Sequence, residues 1–237
     1  MSEHKNSKIF SVLLIIFFIV LAAFLAFFTF SDSTQKNVFI WRGLAALDMP
    51  DYQYQLGAYL LAHNPDNEDG LNYVIQAGEN GQKHAQNYLG YWYDENPENA
   101  GDYDFEKAEY WYKKAADQNV VTSLHNLGRL YIKTQQYDLV EAPLIKAAEM
   151  GWVNAQNTLG SWYHDQNPNG SYLDKAMIWY EKAAKAGHDM AMHNYATLLR
   201  KNGQYEEAII WYEKSYEAGK EMEFNDSAQA LGYLYHK

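Results

Sequence analysis

Cysteine is absent from this chain of 237 residues. That removes disulfide frameworks, thiolate zinc sites, a cysteine nucleophile and a lipid-modified cysteine anchor at once. Cations are scarce, with 19 Lys and Arg against 30 Asp and Glu and a formal net charge of -11. Nucleic-acid binders neutralise phosphates with clustered Lys and Arg, so this balance excludes that class and argues against docking on anionic lipid heads. Catalytic signatures are missing too: there is no H-E-x-x-H, G-x-S-x-G, Walker A or G-x-G-x-x-G sequence. Mean hydropathy is -0.50 despite one intensely apolar segment, so everything outside that segment is strongly polar.

That segment is residues 9–30, IFSVLLIIFFIVLAAFLAFFTF, without a charge and with only Ser11 and Thr29 polar. As a helix it spans roughly 33 Å, about the hydrocarbon thickness of a bilayer. It exceeds the usual apolar core of a signal peptide, and no convincing A-x-A cleavage site closes it. A transmembrane signal-anchor is therefore expected. Lys5 and Lys8 precede the span, whereas SDSTQKNVF follows it. The positive-inside rule keeps residues 1–8 cytoplasmic and sends the rest outward, to the periplasm in a Gram-negative cell.

The remaining sequence repeats. HAQNYLGYWY at 84–93, LHNLGRLY at 124–131, NAQNTLGSWY at 154–163 and AQALGYLY at 228–235 align on a Leu-Gly pair. The glycines are Gly57, Gly90, Gly128, Gly160 and Gly232, with Ala196 in the same register, at spacings of 33, 38, 32, 36 and 36 residues. A second motif keeps step: WYKKAA at 111–116, WYEKAA at 179–184, WYEKSY at 211–216, PLIKAA at 143–148 and a weaker YVIQAG at 73–78. Fixed registers of this kind mark repeats of one supersecondary unit.

Each repeat is expected to hold two helices. In the first, A, Ala85, Leu89, Trp92 and Tyr93 form one apolar stripe of 3.6-residue period; in the second, B, Ala108, Trp111, Tyr112 and Ala115 do the same. Gly90 lies inside helix A, where only a close neighbouring helix justifies a poor helix former. Asn64-Pro65, Asn96-Pro97 and Asn167-Pro168 end helix A, because the residue before proline is pushed out of the helical region. Asp102, Asp104, Asp174 and Glu206 suit the starts of B helices. Gly81, Gly151, Gly187 and Gly219, with Asn119, fall where B helices end in a left-handed residue. Pro143 replaces the tryptophan of its repeat and is expected to kink that helix or delay its start.

The combined pattern, A-x-x-x-L-G-x-x-Y followed by K-A-x-x-W-Y-x-K-A-A-x-x-G, resembles the Sel-one-like repeat (SLR), a relative of the tetratricopeptide repeat. Residues 85–119 and 155–187 carry the best copies, and the resemblance covers roughly residues 52–219. It implies an α-solenoid of about five repeats at 52–237, so that with the transmembrane helix at 9–30 and a connector with a partial repeat helix at 31–51 the fold is expected to be all-α. TrpArgGlyLeuAlaAla at 41–46 looks like an orphan helix B, and residues 227–237 like a capping helix A. Stacked helical pairs of this type bury one continuous core, so the Trp, Tyr and Ala excess is packing and not a cofactor site.

No enzyme activity, cofactor or metal is expected. His188 and His193 stand roughly 140° apart round a helix, wrong for a shared metal. DNEDG at 66–70 misplaces the glycine of a calcium loop and lacks its closing glutamate. The acidic stretch 94–106 is a solvated inter-helix loop that offers an attraction to a cation or basic partner. The resemblance implies that helix A residues outside the stripe line a concave face, which here places Tyr88, Tyr91, Asn126, Arg129, Thr158, Ser161, Asn194 and Thr197 as candidate partner-binding positions. The expected function is a membrane-anchored periplasmic protein-interaction scaffold, an assembly or regulatory factor of an envelope machine such as a secretion system. The alternatives are an immunity protein that neutralises a periplasm-acting effector such as a lipase, a cell-wall-related hydrolase, and a cytoplasm-facing adaptor if the topology is inverted.

Overall fold

The computed structural model describes residue 19 and residues 33–95, 103–166, 172–219 and 226–235. Every regular element among them is helical: α1 (Ser33–Ala45), α2 (Pro50–His63), α3 (Glu68–Glu79), α4 (Lys83–Asp94), α5 (Phe105–Asp117), α6 (Val121–Lys133), a 3-10 turn (Tyr137–Leu139), α7 (Glu141–Glu149), α8 (Val153–Asp165), α9 (Leu173–Lys185), α10 (Asp189–Lys201), α11 (Tyr205–Gly219) and α12 (Asp226–Tyr235). Among these residues no helix is long and apolar enough to cross a membrane. The expected span at 9–30 lies outside them except for Ile19. The helices form two compact units, one ending at Val120 and one beginning at Val121.

In each unit consecutive helices pack on one another, α1 to α5 in the first and α6 to α12 in the second. The turns from a B helix to the next A helix are built alike. In the first unit Gln82 N–H reaches back to Ala77 O at 2.9 Å and Gly81 N–H to Gly78 O at 3.1 Å; Val120 and Asn119 repeat this on Ala115 and Ala116. Trp152 with Gly151, and His188 with Gly187, close α7 and α9 in the same way. This double closure satisfies the last helical carbonyls and needs a left-handed residue, supplied by Gly81, Asn119, Gly151 and Gly187 at φ 88°, 58°, 85° and 93°. Gly219 departs from expectation: it is the final residue of α11 and buried. A left-handed glycine missing from the expected set, Gly203 at φ 79°, instead follows α10.

The Leu-Gly glycines mark where helix A meets its helix B. A Cβ on Gly57 would stand 2.6 Å from the Gly70 carbonyl oxygen, and one on Gly160 2.6 Å from Cδ1 of Tyr180; on Gly90 and Gly128 it would enter the Tyr112 ring and the Leu144 side chain. Gly232 of α12 has open space at that position. Pro143 acts as expected. It lies in the first turn of α7, which starts late, after the 3-10 turn, and runs for only 9 residues. Asn64 is extended, at φ -148° and ψ 101°, and ends α2 before Pro65; the other two Asn-Pro pairs lie outside the described residues. The 41–46 segment falls on the end of α1 and the turn after it, and its Trp41 meets Tyr59 of α2 edge to face at 6.0 Å. The core of the first unit gathers Leu61, Val74, Ala77, Ala85, Leu89, Trp92 and Trp111.

Candidate functional site

Helix A positions are held from their N-termini. Gln82 caps α4, its side-chain oxygen accepting from Ala85 N–H at 2.6 Å, and His188 caps α10 through Nδ1, which accepts from Ala191 N–H at 3.3 Å. An acceptor Nδ1 belongs to a neutral ring, so the 3.6 Å approach of Asp189 is not an ion pair while the cap holds. His193 points elsewhere, its Nδ1 lying 2.9 Å from Ser227 Oγ. Asn67 of the DNEDG turn caps α3, accepting from Gly70 N–H at 2.7 Å. In the acidic stretch, Asp94 is buried in α4 and Asp104 caps α5, accepting from Lys107 N–H at 3.0 Å and pairing with its ammonium at 2.9 Å. Those two bonds hold the Asp104 carboxyl below the usual carboxylate range. Residues 96–102 lie outside the described set.

The eight candidate positions do not form one class. In the first unit Tyr88 is half-buried against the core, its ring 6.2 Å from that of Trp92, and Tyr91 is 41% exposed. In the second unit four positions are tied into the fold. Ser161 Oγ accepts from Tyr180 OH at 3.0 Å, and Thr197 Oγ1 donates to His193 O and lies 3.0 Å from Tyr212 OH. Thr158 Oγ1 meets His125 Nε2 at 3.0 Å, and Asn194 Nδ2 donates to Asn157 Oδ1 at 3.4 Å. Asn126 is half-buried and Arg129 exposed. Of the eight, Tyr91 and Arg129 are the ones whose side chains stand out into solvent.

A polar column that the sequence reading missed lies three residues before Gly90, Gly128, Gly160 and Ala196: Asn87, His125, Asn157 and His193. In the second unit it links successive A helices, α6 to α8 through His125, α8 to α10 through Asn157, and α10 to α12 through His193, with Ser227 passing the chain on to Ser215 at 2.9 Å. The repeat alignment carried the signal, since that column is Asn or His in these four registers and Gln229 before Gly232, with Tyr54 before Gly57 as the departure. A second missed device is a glutamine in the A helix after the turns at Gly81 and Gly151, Gln86 and Gln156, whereas Leu124 and Met192 hold that place after the turns at Asn119 and Gly187. Gln86 Nε2 donates to Gly78 O at 2.9 Å and its Oε1 accepts from Gln118 at 2.8 Å. Gln156 repeats the first bond, to Ala148 O at 3.1 Å. Ala186 stands where Gln118 stood, and among the described residues Gln156 Oε1 is left without a partner.

Burial, reinforced by the Arg129 charge, pulls the His125 imidazole down to about 4, and burial also lowers His193. The unfolded chain takes up a proton near pH 6.5 that folded His125 refuses until about pH 4. Stability from this site is thus complete above 6.5 and lost as pH falls from 6.5 towards 4. The loss amounts to about 2 to 3 kcal/mol. Urea denaturation at pH 7 and pH 4.5 should show wild type losing about that much more than His125→Asn, which places the column's other residue type there. An identical pH response in the two proteins would disprove the burial of a neutral His125.

Residues 83–120 and 153–188 match the Sel1 repeat, and residues 190–222 match a tetratricopeptide repeat. No curated protein matches the chain in sequence. Among solved structures, a Sel1 repeat protein from Oxalobacter formigenes superposes with a TM-score of 0.65 at 24% identity, over 92% of this chain and 88% of that one. The antigen c5321, a protective antigen of uropathogenic Escherichia coli strains with an SLR fold, gives 0.64 at 24% identity, over 91% of this chain and 51% of that one. This chain therefore spans about half the length of c5321. YrrB, a TPR protein with an unusual peptide-binding site, gives 0.51 at 18% identity, over 78% of this chain and 93% of that one. Together these place the fold as an all-α helical-repeat architecture of the SLR and TPR type.

Proposed function

We propose that this chain is a non-enzymatic protein-interaction scaffold, anchored in the inner membrane by residues 9–30 with its repeats on the periplasmic side, where it serves the assembly or regulation of an envelope machine. The observation that carries the binding role is the exposure of Tyr91. Tyr131, Tyr163 and Tyr195 of the A helices are buried and Tyr52, Tyr54, Tyr59, Tyr88 and Tyr93 half-buried, whereas Tyr91 leaves a large ring with a polar tip in solvent, the type of side chain enriched at interface hot spots. The anchor rests on the length and charge-free character of the 9–30 run and the orientation on Lys5 and Lys8. A role in an envelope machine follows from the anchor, which sets the repeats beside other membrane subunits. The peptide-binding site named for YrrB agrees with a protein partner.

The test is capture of crosslinked partners from membranes with the whole chain as bait. Tyr91→Ala and Arg129→Ala, each made separately, should weaken recovery of the partner by about thirtyfold in affinity if the residue is a hot spot, since 2 kcal/mol or more is lost at such positions. Full recovery with both variants, each still helical, excludes the helix A face. A reporter active only outside the cytoplasm, fused after Lys237, should work in the same strain; activity of a cytoplasm-only reporter there would overturn the orientation.

A further inference from the structure

The negative charge of this protein is unevenly spread. Residues 31–120 hold 15 acidic against 6 basic side chains, and residues 121–237 hold 14 against 11. In the acidic first unit a cleft of about 400 Å³ opens between the end of α1 and the outer face of α3, lined by Ala45, Asp48, Asp69, Asn72, Tyr73 and Gln76. Three sources of negative potential converge there. Ala45 ends α1, so the negative end of a helix dipole faces the cleft, where cations are favoured. Asp48 follows in the turn, and Asp69 comes from the DNEDG segment at the start of α3. Among the described residues neither carboxylate has a cationic partner.

The lining is also held in place. Gln53 is fully buried and its Nε2 lies 3.3 Å from both Asp48 Oδ1 and Gln76 Oε1, while its own Oε1 accepts from Asn80 at 3.3 Å. One buried amide thus fixes two walls of the cleft. The chemistry selects the ligand. A metal ion needs three or more converging donors, and no such group of His, Asp or Glu exists among the described residues. A cleft of this volume holds an organic cation, and Tyr73 supplies an aromatic wall. The chain uses such pairing on its own surface, with Lys107 over Tyr93 at 5.1 Å and Lys114 over Tyr110 at 4.9 Å. Of the two cationic side chains, a guanidinium both stacks on a ring and forks onto carboxylates.

We propose that this cleft is a receptor for an arginine side chain of a basic partner segment, with Asp48 and Asp69 as its charge partners, Tyr73 as the stacking wall, and Asn72 and Gln76 as amide acceptors. The inference rests on the scaffold reading and adds to it the chemistry of what is bound. It also gives the first unit a binding site separate from the helix A face.

The probe is a fluorescent peptide of alternating glycine and arginine, four arginines long, with a citrulline counterpart of the same shape and no charge. Anisotropy is read against the full chain in neutral detergent at about 0.15 M salt, where the Debye length of about 8 Å leaves only close charges effective. The arginine peptide should bind and the citrulline peptide should not. Asp48→Asn with Asp69→Asn should weaken binding at least tenfold, while Glu106→Gln with Asp117→Asn, the same change of charge away from the cleft, should change it less than twofold. Asparagine tolerates the left-handed backbone of Asp48, at φ 53°. If the double variant loses helicity, Asp69→Asn alone, at an exposed position, should still cost about threefold. Equal weakening by both pairs, equal binding of the citrulline peptide, or no binding of the arginine peptide each overturns the proposal. Should the peptide fail while crosslinking still captures a Tyr91-dependent partner, the cleft is wrong and the scaffold stands.

Discussion

Gly90→Leu is expected to lower the stability of the chain by about 3 kcal/mol, the upper part of the range for overpacking a close-packed contact. Even a single methyl group at Gly90 enters the ring of Tyr112, and Tyr112 has nowhere to go, being fully buried in α5. Leucine adds three more carbons along the same line. The control is Gly81→Ala. At Gly81 a Cβ meets nothing within 4 Å, but φ is 88°, so the cost there is backbone strain of roughly 1 to 2 kcal/mol with no overpacking. Urea denaturation followed by tryptophan fluorescence separates the two. An unchanged midpoint for Gly90→Leu would mean that α4 and α5 do not meet at this glycine.

Trp111→Ala should cost about 3 to 5 kcal/mol, the range for removing a large aromatic from a core. Trp111 lies within the cluster formed by Leu61, Val74, Ala77, Leu89 and Trp92, and its ring edge is 3.1 Å from where a Cβ on Gly78 would stand. It therefore fills the space that glycine leaves, and its loss opens a cavity that several helices must share. Trp179 occupies the same place in the motif, and from sequence both residues are expected to be core. The structure corrects this for Trp179, which is half-buried, with the Lys182 ammonium 4.0 Å over its ring. Trp179→Ala should accordingly cost less than half as much as Trp111→Ala. Equal losses, measured by the same denaturation, would show that the two tryptophans are equivalent after all.

That difference separates what a motif states from what a neighbour decides. The tryptophans of WYKKAA and WYEKAA sit in motifs that differ only at Lys113 and Glu181. Helix α5 turns its tryptophan into the core cluster and against Gly78, a gap at the end of α3, whereas α9 leaves its tryptophan at the margin. No pattern within either motif records the size of a side chain one repeat away.

The same limit applied to the candidate surface. Ser161 and Thr197 are short polar residues just after the Leu-Gly position, in the register of Tyr91 and Arg129, so by spacing alone all four belong to one surface. Their difference lies in helix B: Tyr180 and Tyr212 bring hydroxyls that bind Ser161 and Thr197, while Leu144, the residue that meets Gly128 in the Arg129 repeat, has no polar group to offer. A buried tyrosine hydroxyl needs a partner, and the nearest small hydroxyl residue is recruited to that purpose and removed from the pool of binding positions.

Legible in the residues alone were the repeat, several helix ends and the tight contacts: Asn64 before Pro65, the left-handed residues Gly81, Asn119, Gly151 and Gly187, the late start forced by Pro143, and the glycines at Gly57, Gly90, Gly128 and Gly160. Each is a local steric rule, in which a missing Cβ, a proline ring or a left-handed φ acts on the chain within a turn or two, so it is written in the residues concerned. Packing in three dimensions settles which polar side chains are spent internally, that burial lowers the His125 pKa, that Trp179 is marginal, and that Asp48 and Asp69 line one cleft. These depend on distance in space between residues far apart in sequence, and on how much water their packing excludes, neither of which a repeat pattern specifies.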